Sequence, residues 1–255
     1  MTSLGGISPS KVKGMDIVMS YSISGRVRYS EIGEDKRLTL PGVLNYFQDC
    51  CTFQSEDIGQ GMEALEKRNR AWVLATWQVV VERYPALGEE IVATTAPYQF
   101  KGFMGMRNFL LETAAGERLA YANSCWINIH AQKGVPMRLT EEDLAGYVLD
   151  EKLEMEYAPR RISLPEQMEA QAPFAVQKHH LDTHHHVNNC QYIRIAADYL
   201  PADFRIYQMR AEYKKQAILH NIFCPVVGGE PGRRVISLNT EAGEPYAVVE
   251  FSEKK

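Results

Sequence analysis

A chain of 255 residues, 45% apolar and 24% charged, has the makeup of a folded globular protein with room for one large domain or two small ones, which excludes general disorder. Its formal charge of −4 argues against general nucleic-acid binding, which needs a basic surface to displace counterions from phosphates. No stretch approaches the roughly 18 apolar residues of a membrane span, and residues 1–10 lack the cationic start and apolar core of a secretory signal, so a cytoplasmic protein is expected. Cys50, Cys51, Cys125, Cys190 and Cys224 are odd in number and show no paired metal-type spacing, which suits reduced thiols.

Residues 1–15 read as a loose amino end. The run 17–29, rich in β-branched and aromatic residues, suits a strand. Leu40, Val43, Leu44, Phe47, Cys50 and Cys51 then recur at spacings of three and four, marking one face of a helix with Pro41 in its first turn. Four strand candidates follow: 71–84, with Val73, Ala75, Trp77, Val79 and Val81 sharing a face; 91–98; 106–112; and a fourth in which Leu119, Tyr121, Cys125, Ile127 and Ile129 alternate with smaller or polar residues. Pro85-Ala86-Leu87-Gly88, Lys101-Gly102 and Ala115-Gly116 punctuate them.

The second half repeats that order. Residues 174–180 read as a strand; Tyr192, Ile193, Ala196, Tyr199 and Leu200 read as a helix face; 205–217, 222–227, 234–239 and 246–251 read as strands. Tyr46 and Tyr192 take comparable helical places, as in two copies of one unit. One helix followed by four mostly antiparallel strands buries its apolar stripe only against the concave side of its own sheet, the arrangement called a hot dog. The expectation is an α+β tandem hot dog: a first unit over 16–139 housing an apolar ligand, a charged linker over 140–165, and a second unit over 166–255 carrying the chemistry.

The run Leu181-Asp182-Thr183-His184-His185-His186-Val187-Asn188-Asn189 sets a carboxylate, three imidazoles and two amides just before the second helix. Five of the seven histidines (His179, His180, His184, His185 and His186) fall within the eight residues 179–186, so the segment reads as an active-site loop. An imidazole near its free pKa of about 6.5 can take a proton from water, and Asp182 can orient an imidazole by accepting its second N–H. N–H groups at the helix start point outward unsatisfied and suit an oxygen that turns negative. Consecutive loop histidines lack the helical spacing of a zinc site, so neither metal nor cofactor is expected. Quieter readings stand beside these: Asp182 caps the turn, Asn188 and Asn189 shape it, and His185 faces solvent. Strand alternation exposes one of His179 and His180 and buries the other.

Asp182-Thr183-His184-His185-His186-Val187-Asn188-Asn189 resembles the Asp-x-Asn-x-His-Val-Asn-Asn motif of the acyl-acyl carrier protein thioesterases of plants and bacteria. Arg28-Tyr29-Ser30-Glu31-Ile32-Gly33, Ala71-Trp72-Val73, Val81-Glu82-Arg83-Tyr84-Pro85, Gly105-Met106-Arg107 and Glu212-Tyr213-Lys214-Lys215 match in family order. The resemblance implies a tandem hot dog, hydrolysis of a fatty acyl thioester borne by acyl carrier protein, and roles for Asp182 and His186. His184 stands where the family has Asn, Gln216 where it usually has Glu or an equivalent polar residue, and Ala217 where plant members have Cys.

A neutral amide is no base, so the expected catalytic set is Asp182, His184, His186 and Gln216, with an imidazole activating water and Gln216 orienting it. Period-two alternation along 205–217 puts Gln216 on the face of Glu212, opposite Tyr213. Arg107, Arg160, Arg161, Lys214, Lys215, Arg233 and Arg234 either form a docking surface for the acidic carrier or are scattered solvated charges. An acyl-coenzyme A thioesterase and a non-catalytic carrier-binding protein are the alternatives; no nucleic-acid or membrane partner is expected, and the chain is a monomer or a homodimer.

Overall fold

The computed structural model describes residues 21–254; the proposed loose end over 1–15 and the start of the first strand lie outside them. The first half holds β1 (Tyr21–Arg26), a 3-10 turn (Tyr29–Glu31), α1 (Leu40–Asp57), α2 (Met62–Lys67), β2 (Arg70–Val81), β3 (Glu90–Lys101), β4 (Met104–Thr113) and β5 (Arg118–His130). After α3 (Glu141–Leu144) come β6 (Met168–Ala170), β7 (Phe174–Ala175), a second 3-10 turn (Lys178–His180), α4 (Asn189–Ala197), β8 (Gln208–Tyr213), β9 (Ile222–Glu230), β10 (Arg233–Asn239) and β11 (Pro245–Ser252).

All the strands join one antiparallel sheet in the order β1-β3-β4-β5-β2-β8-β11-β10-β9-β6, with β7 also on β9. Each half is a sheet wrapped on its own helix, and the halves fuse where β2 pairs with β8. α1 begins where Thr39 accepts the Gly42 N–H at 3.2 Å, and it buries Leu40, Val43, Leu44, Phe47 and Cys50 as the spacing predicts, while Cys51 at the edge of that face is half-buried. Phe47 meets Phe109 at 5.2 Å, and Phe109 meets Trp77 at 5.0 Å. Full burial of such a ring stabilises by about 1.5–3 kcal/mol. α4 is shorter and packs Tyr192 on Phe223, which in turn meets Tyr246. The two helices touch, with the Cys190 thiol donating to the Pro41 carbonyl at 3.5 Å.

Several expectations change. In β2 the register shifts between Leu74 and Thr76, so Ala75 bulges and the face continues from Leu74 to Trp77, Val79 and Val81; Val73 and Ala75 do not share it. A second shift opposite Leu111 and Glu112 breaks the expected face of β5, which buries Leu119, Ala120 and Ala122 while Tyr121, Ile127 and Ile129 stay half-exposed. Residues 174–180 form a two-residue strand and a 3-10 turn, so the burial of His180 and exposure of His179 come from the turn.

The duplication extends to the loops. Lys36 and His185 both have positive φ, 60° and 61°. The bridges Ile32–Leu38 and Arg37–Ala86 recur as Leu181–Val187 and His186–Ile218, and the helix caps Thr39 and Asn188 occupy the same place. On this alignment Val43, rather than Tyr46, stands opposite Tyr192. The backbone N–H groups of Glu82 and Arg83 donate to the Leu119 carbonyl just as those of Lys214 and Lys215 donate to that of Tyr246. The same offset makes Gln78 the counterpart of Arg210, and these two residues face each other across β2 and β8, at the centre of the pseudo-symmetry.

Residues 150–163 form a strap across the outer face of the sheet. Gln78 donates to the Glu156 carbonyl at 2.8 Å and accepts the Ala158 N–H at 2.9 Å; Arg210 donates to the carbonyls of Pro159 and, at 3.1 Å, Arg161. Leu153 and Ile162 are buried beneath it, so this part of the expected linker is bound down along its length.

Candidate active site

The loop before α4 is shaped by its own carboxylate. Asp182 Oδ1 accepts the backbone N–H groups of His184 at 2.8 Å and His186 at 3.2 Å, and the Asp182 N–H donates to the His186 carbonyl at 2.8 Å. A short acceptor two and four residues upstream of the donors closes a tight turn and lets His185 take its positive φ. Val187 then donates to the Ala217 carbonyl at 2.8 Å and His186 bridges Ile218, clamping the loop to the segment that carries Gln216.

Two tyrosines brace the clamp from inside. The Ala217 N–H donates to the Tyr192 hydroxyl at 3.0 Å, and the Tyr213 hydroxyl donates to the Asn189 carbonyl at 3.0 Å, at the first residue of α4. Burial pushes both phenols above their ordinary range, so they stay neutral hydrogen-bonding groups. Sequence reasoning missed these roles; the available signal was a tyrosine on the apolar face of a helix, which needs a partner for its hydroxyl.

At the helix start, Asn188 accepts the Cys190 N–H at 2.9 Å through its side chain and the Gln191 N–H at 2.9 Å through its carbonyl. Among the described residues this leaves the Asn189 N–H as the first-turn donor without an acceptor, fewer than the expected row of open donors. Burial pushes the Cys190 thiol up to about 12, which removes it as a nucleophile. His180, buried at the foot of the loop, accepts the Gln177 N–H on Nδ1 at 3.1 Å while its own carbonyl takes the Asn188 N–H. Burial, and then the neighbouring His179, hold its pKa below the ordinary 6.5.

The structure brings Asp182, His184 and His186 into one turn and lays it beside Gln216, but the contacts differ from those expected. Asp182 meets the histidines through their backbone, not their rings. Asp182 and His186 are half-buried; His184 and Gln216 are exposed. β8 ends at Tyr213 and the chain bends at Lys215, so Gln216 is off the strand and its expected alternation with Glu212 does not apply. Among the described residues, no three His, Cys, Asp or Glu side chains converge as metal ligands.

Two clefts flank this region without being lined by any of the four candidates. One, of about 500 Å³, opens where β2 and β8 part, under the strap. The other, of about 350 Å³, lies beside Lys215, His220 and Glu244. The basic residues do not make one surface. Arg107 is buried, donating to Gln54 and to Thr95, and Arg233 pairs with Glu250, Lys214 with Glu212, and Lys215 with Glu244.

A sheet wrapped on a helix, present twice in one chain and fused through β2 and β8, places the protein in the class of tandem hot dogs. Residues 19–147 match the family profile described as the acyl-ACP thioesterase N-terminal domain, and residues 149–219 match that of the acyl-ACP thioesterase C-terminal domain. The chain belongs to the acyl-ACP thioesterase family.

An acyl-[acyl-carrier-protein] hydrolase of Cuphea viscosissima is 23% identical over 208 residues, 74% of this chain and 50% of that protein; an oleoyl-acyl carrier protein thioesterase of Arabidopsis thaliana is 23% identical over 250 residues, 88% of this chain and 66% of that protein. The chain spans about half the length of the first of these curated relatives. An acyl-ACP thioesterase structure from Bacteroides thetaiotaomicron superposes with a TM-score of 0.83 at 20% identity, covering 91% of this chain and 96% of that one. The 12:0-ACP thioesterase of Umbellularia californica superposes at 0.79 and 17%, covering 91% and 95%. At these identities the two structures speak for the fold.

Proposed function

We propose that the chain hydrolyses fatty acyl-acyl carrier protein thioesters, releasing free fatty acid and thereby ending chain extension. The observation that carries this reading is the clamp between the loop 182–187 and the segment 216–218 at the start of α4, at the positions where the family's motif falls. In this scheme the His186 imidazole takes a proton from water as the water oxygen attacks the thioester carbon. The carbonyl oxygen gains the charge and is met by the Asn189 N–H and the positive end of α4. Collapse breaks the carbon–sulfur bond, the imidazolium returns its proton to the departing thiolate, and the acid leaves. Asp182 positions His186 by holding its backbone, while His184 and Gln216 orient water from the exposed side.

The division of labour follows the two halves: 16–139 houses the acyl chain against the longer helix, 140–165 connects, and 166–255 supplies the chemistry. Among the described residues no helix is long and apolar enough to cross a membrane, and all five cysteines are free thiols, which suits a reducing cytoplasm. Hydrolysis is tested by following free thiol released from acyl carrier protein by the parent chain and His186→Ala. The variant should lose about 100-fold or more in kcat, the usual share of a positioned base; undiminished turnover rejects the scheme.

A further inference from the structure

We propose that Arg160 and Arg161, at the mouth of the cleft where β2 and β8 part, bind the phosphodiester of the phosphopantetheine arm presented by the carrier protein. This rests on the hydrolysis reading above and assigns the entry side of that site.

The cleft exists because the two central strands stop pairing. Thr76 and Glu212 are the last partners; beyond them β2 runs on with β5 alone, Ala75 bulges, and the other chain turns away from Tyr213 towards Gln216. The resulting space of about 500 Å³ is bounded by Ala75, Thr76, Glu212 and Tyr213 below and by Arg160 and Arg161 of the strap above. Tyr213 links this cleft to the loop, because its hydroxyl holds the Asn189 carbonyl at the start of α4. In the proposed route an extended arm runs from the arginines past the end of β8 at Tyr213, the residue that belongs both to this cleft and to the clamp.

Charge selects the ligand. Of the basic residues in this region, Lys214 pairs with Glu212, while Arg210 and Arg233 both pair with Glu250. Arg160 and Arg161 are exposed, and among the described residues neither has a carboxylate partner. Among the described residues Arg160 donates to sulfur alone, to Met104 Sδ at 3.3 Å and Cys125 Sγ at 3.8 Å. The one carboxylate in the cleft, Glu212, is already engaged by Lys214 and by the Ile162 N–H at 3.3 Å. An otherwise acidic chain thus keeps two unpaired guanidinium groups together at one opening, and guanidinium forks suit phosphate oxygens.

Their carrier is also fixed in place. Gln78 and Arg210, the residues at the pseudo-symmetry centre, hold the strap backbone on either side of Pro159, and Ile162 is buried just beyond. The arginines are presented from a bound-down segment, so little order has to be gained on binding. The second cleft lacks this character, since its Lys215 is paired with Glu244 and Glu241 lies beside them.

The test uses the full chain, Arg161→Ala, and Arg160→Ala/Arg161→Ala. The single variant removes a side chain without a hydrogen-bond partner among the described residues, so it should fold as the parent does. Two readouts are taken: kcat/KM on one acyl group carried by acyl carrier protein and by pantetheine without phosphate, and affinity for holo- against apo-carrier.

The double variant should lose roughly tenfold or more in kcat/KM on the carrier substrate, chiefly through KM, with a shallower salt dependence. The phosphate-free thioester should change less than about twofold, and the preference for holo- over apo-carrier should collapse. Equal losses on both substrates, or an unchanged holo preference, overturn the proposal. Acyl-coenzyme A hydrolysed in preference to the carrier form, with the same arginine dependence, overturns the choice of carrier as source. If the parent chain cleaves no thioester, the hydrolysis reading fails while the holo-to-apo comparison still decides the arginine site.

Discussion

The Tyr192 hydroxyl accepts the buried backbone N–H of Ala217 at 3.0 Å, so a side chain on α4 sets the height of the segment that carries Gln216. Tyr192→Phe keeps the ring on Phe223 but leaves that N–H without a partner, which costs about 1–3 kcal/mol. Denaturant unfolding should show the loss, and thioesterase activity should fall with it. Unchanged stability would mean that the Ala217 N–H finds another acceptor.

Gln216 is exposed beside the loop, so a carboxylate there would remain hydrated. Gln216→Glu places a second base within reach of the same water and should raise kcat on acyl carrier protein by about tenfold, with a new limb on the acid side of the pH profile. Initial rates across pH 4 to 8 check it. A rate equal to or below the parent's would remove Gln216 from the scheme.

His180 makes folding sensitive to mild acid. Its folded pKa lies below the ordinary 6.5, so the folded state favours neutral imidazole while the unfolded chain binds the proton more readily. Its contribution is intact above about pH 6.5 and is lost as pH falls through the folded value. Glu82, Glu89 and Glu117 are held below their ordinary range by their partners, whereas burial raises Asp49 and Glu112, which favour the folded state as pH falls and so act with the opposite sign; comparison with a His180 variant separates the histidine from them. Melting temperature should fall between pH 7 and 5.5 in the parent and fall less in His180→Gln. Parallel curves would assign the sensitivity elsewhere.

Asp143 is buried and pairs with Arg70 at 3.3 Å and Arg68 at 3.5 Å, while Thr140 donates to it through both its N–H and its hydroxyl at 2.9 Å. Removing it strands two largely buried guanidinium groups, an effect of about 3–5 kcal/mol. Calorimetry on Asp143→Ala should show a melting temperature lower by roughly 10 °C. A drop of a degree or less would mean that solvent reaches both arginines.

Local signals carried far in this chain. Leu40, Val43, Leu44 and Phe47 announced α1 because helical spacing is a property of the segment itself, and Asn188 caps α4 through its own side chain. The repeat of strand and helix order, and the resemblance of the loop, likewise belong to the linear chain. β2 was misread at Ala75 because a bulge is set by the strand across from it, here β5. Gln216 was misplaced because the chain leaves β8 at Tyr213 to meet the loop, and alternation holds only while a strand stays paired.

The amino-acid sequence by itself determined the duplicated architecture and the turn proposed to bear the chemistry, since periodicity, caps and turn residues act over a few positions. The tertiary structure alone decided that Asp182 grips backbone rather than imidazole, that Tyr192 and Tyr213 brace the clamp, and that Arg160 and Arg161 stand unpaired above a gap between the halves. Those relationships depend on which distant groups compete for the same hydrogen bonds and charges, and that competition is resolved only when the chain has packed.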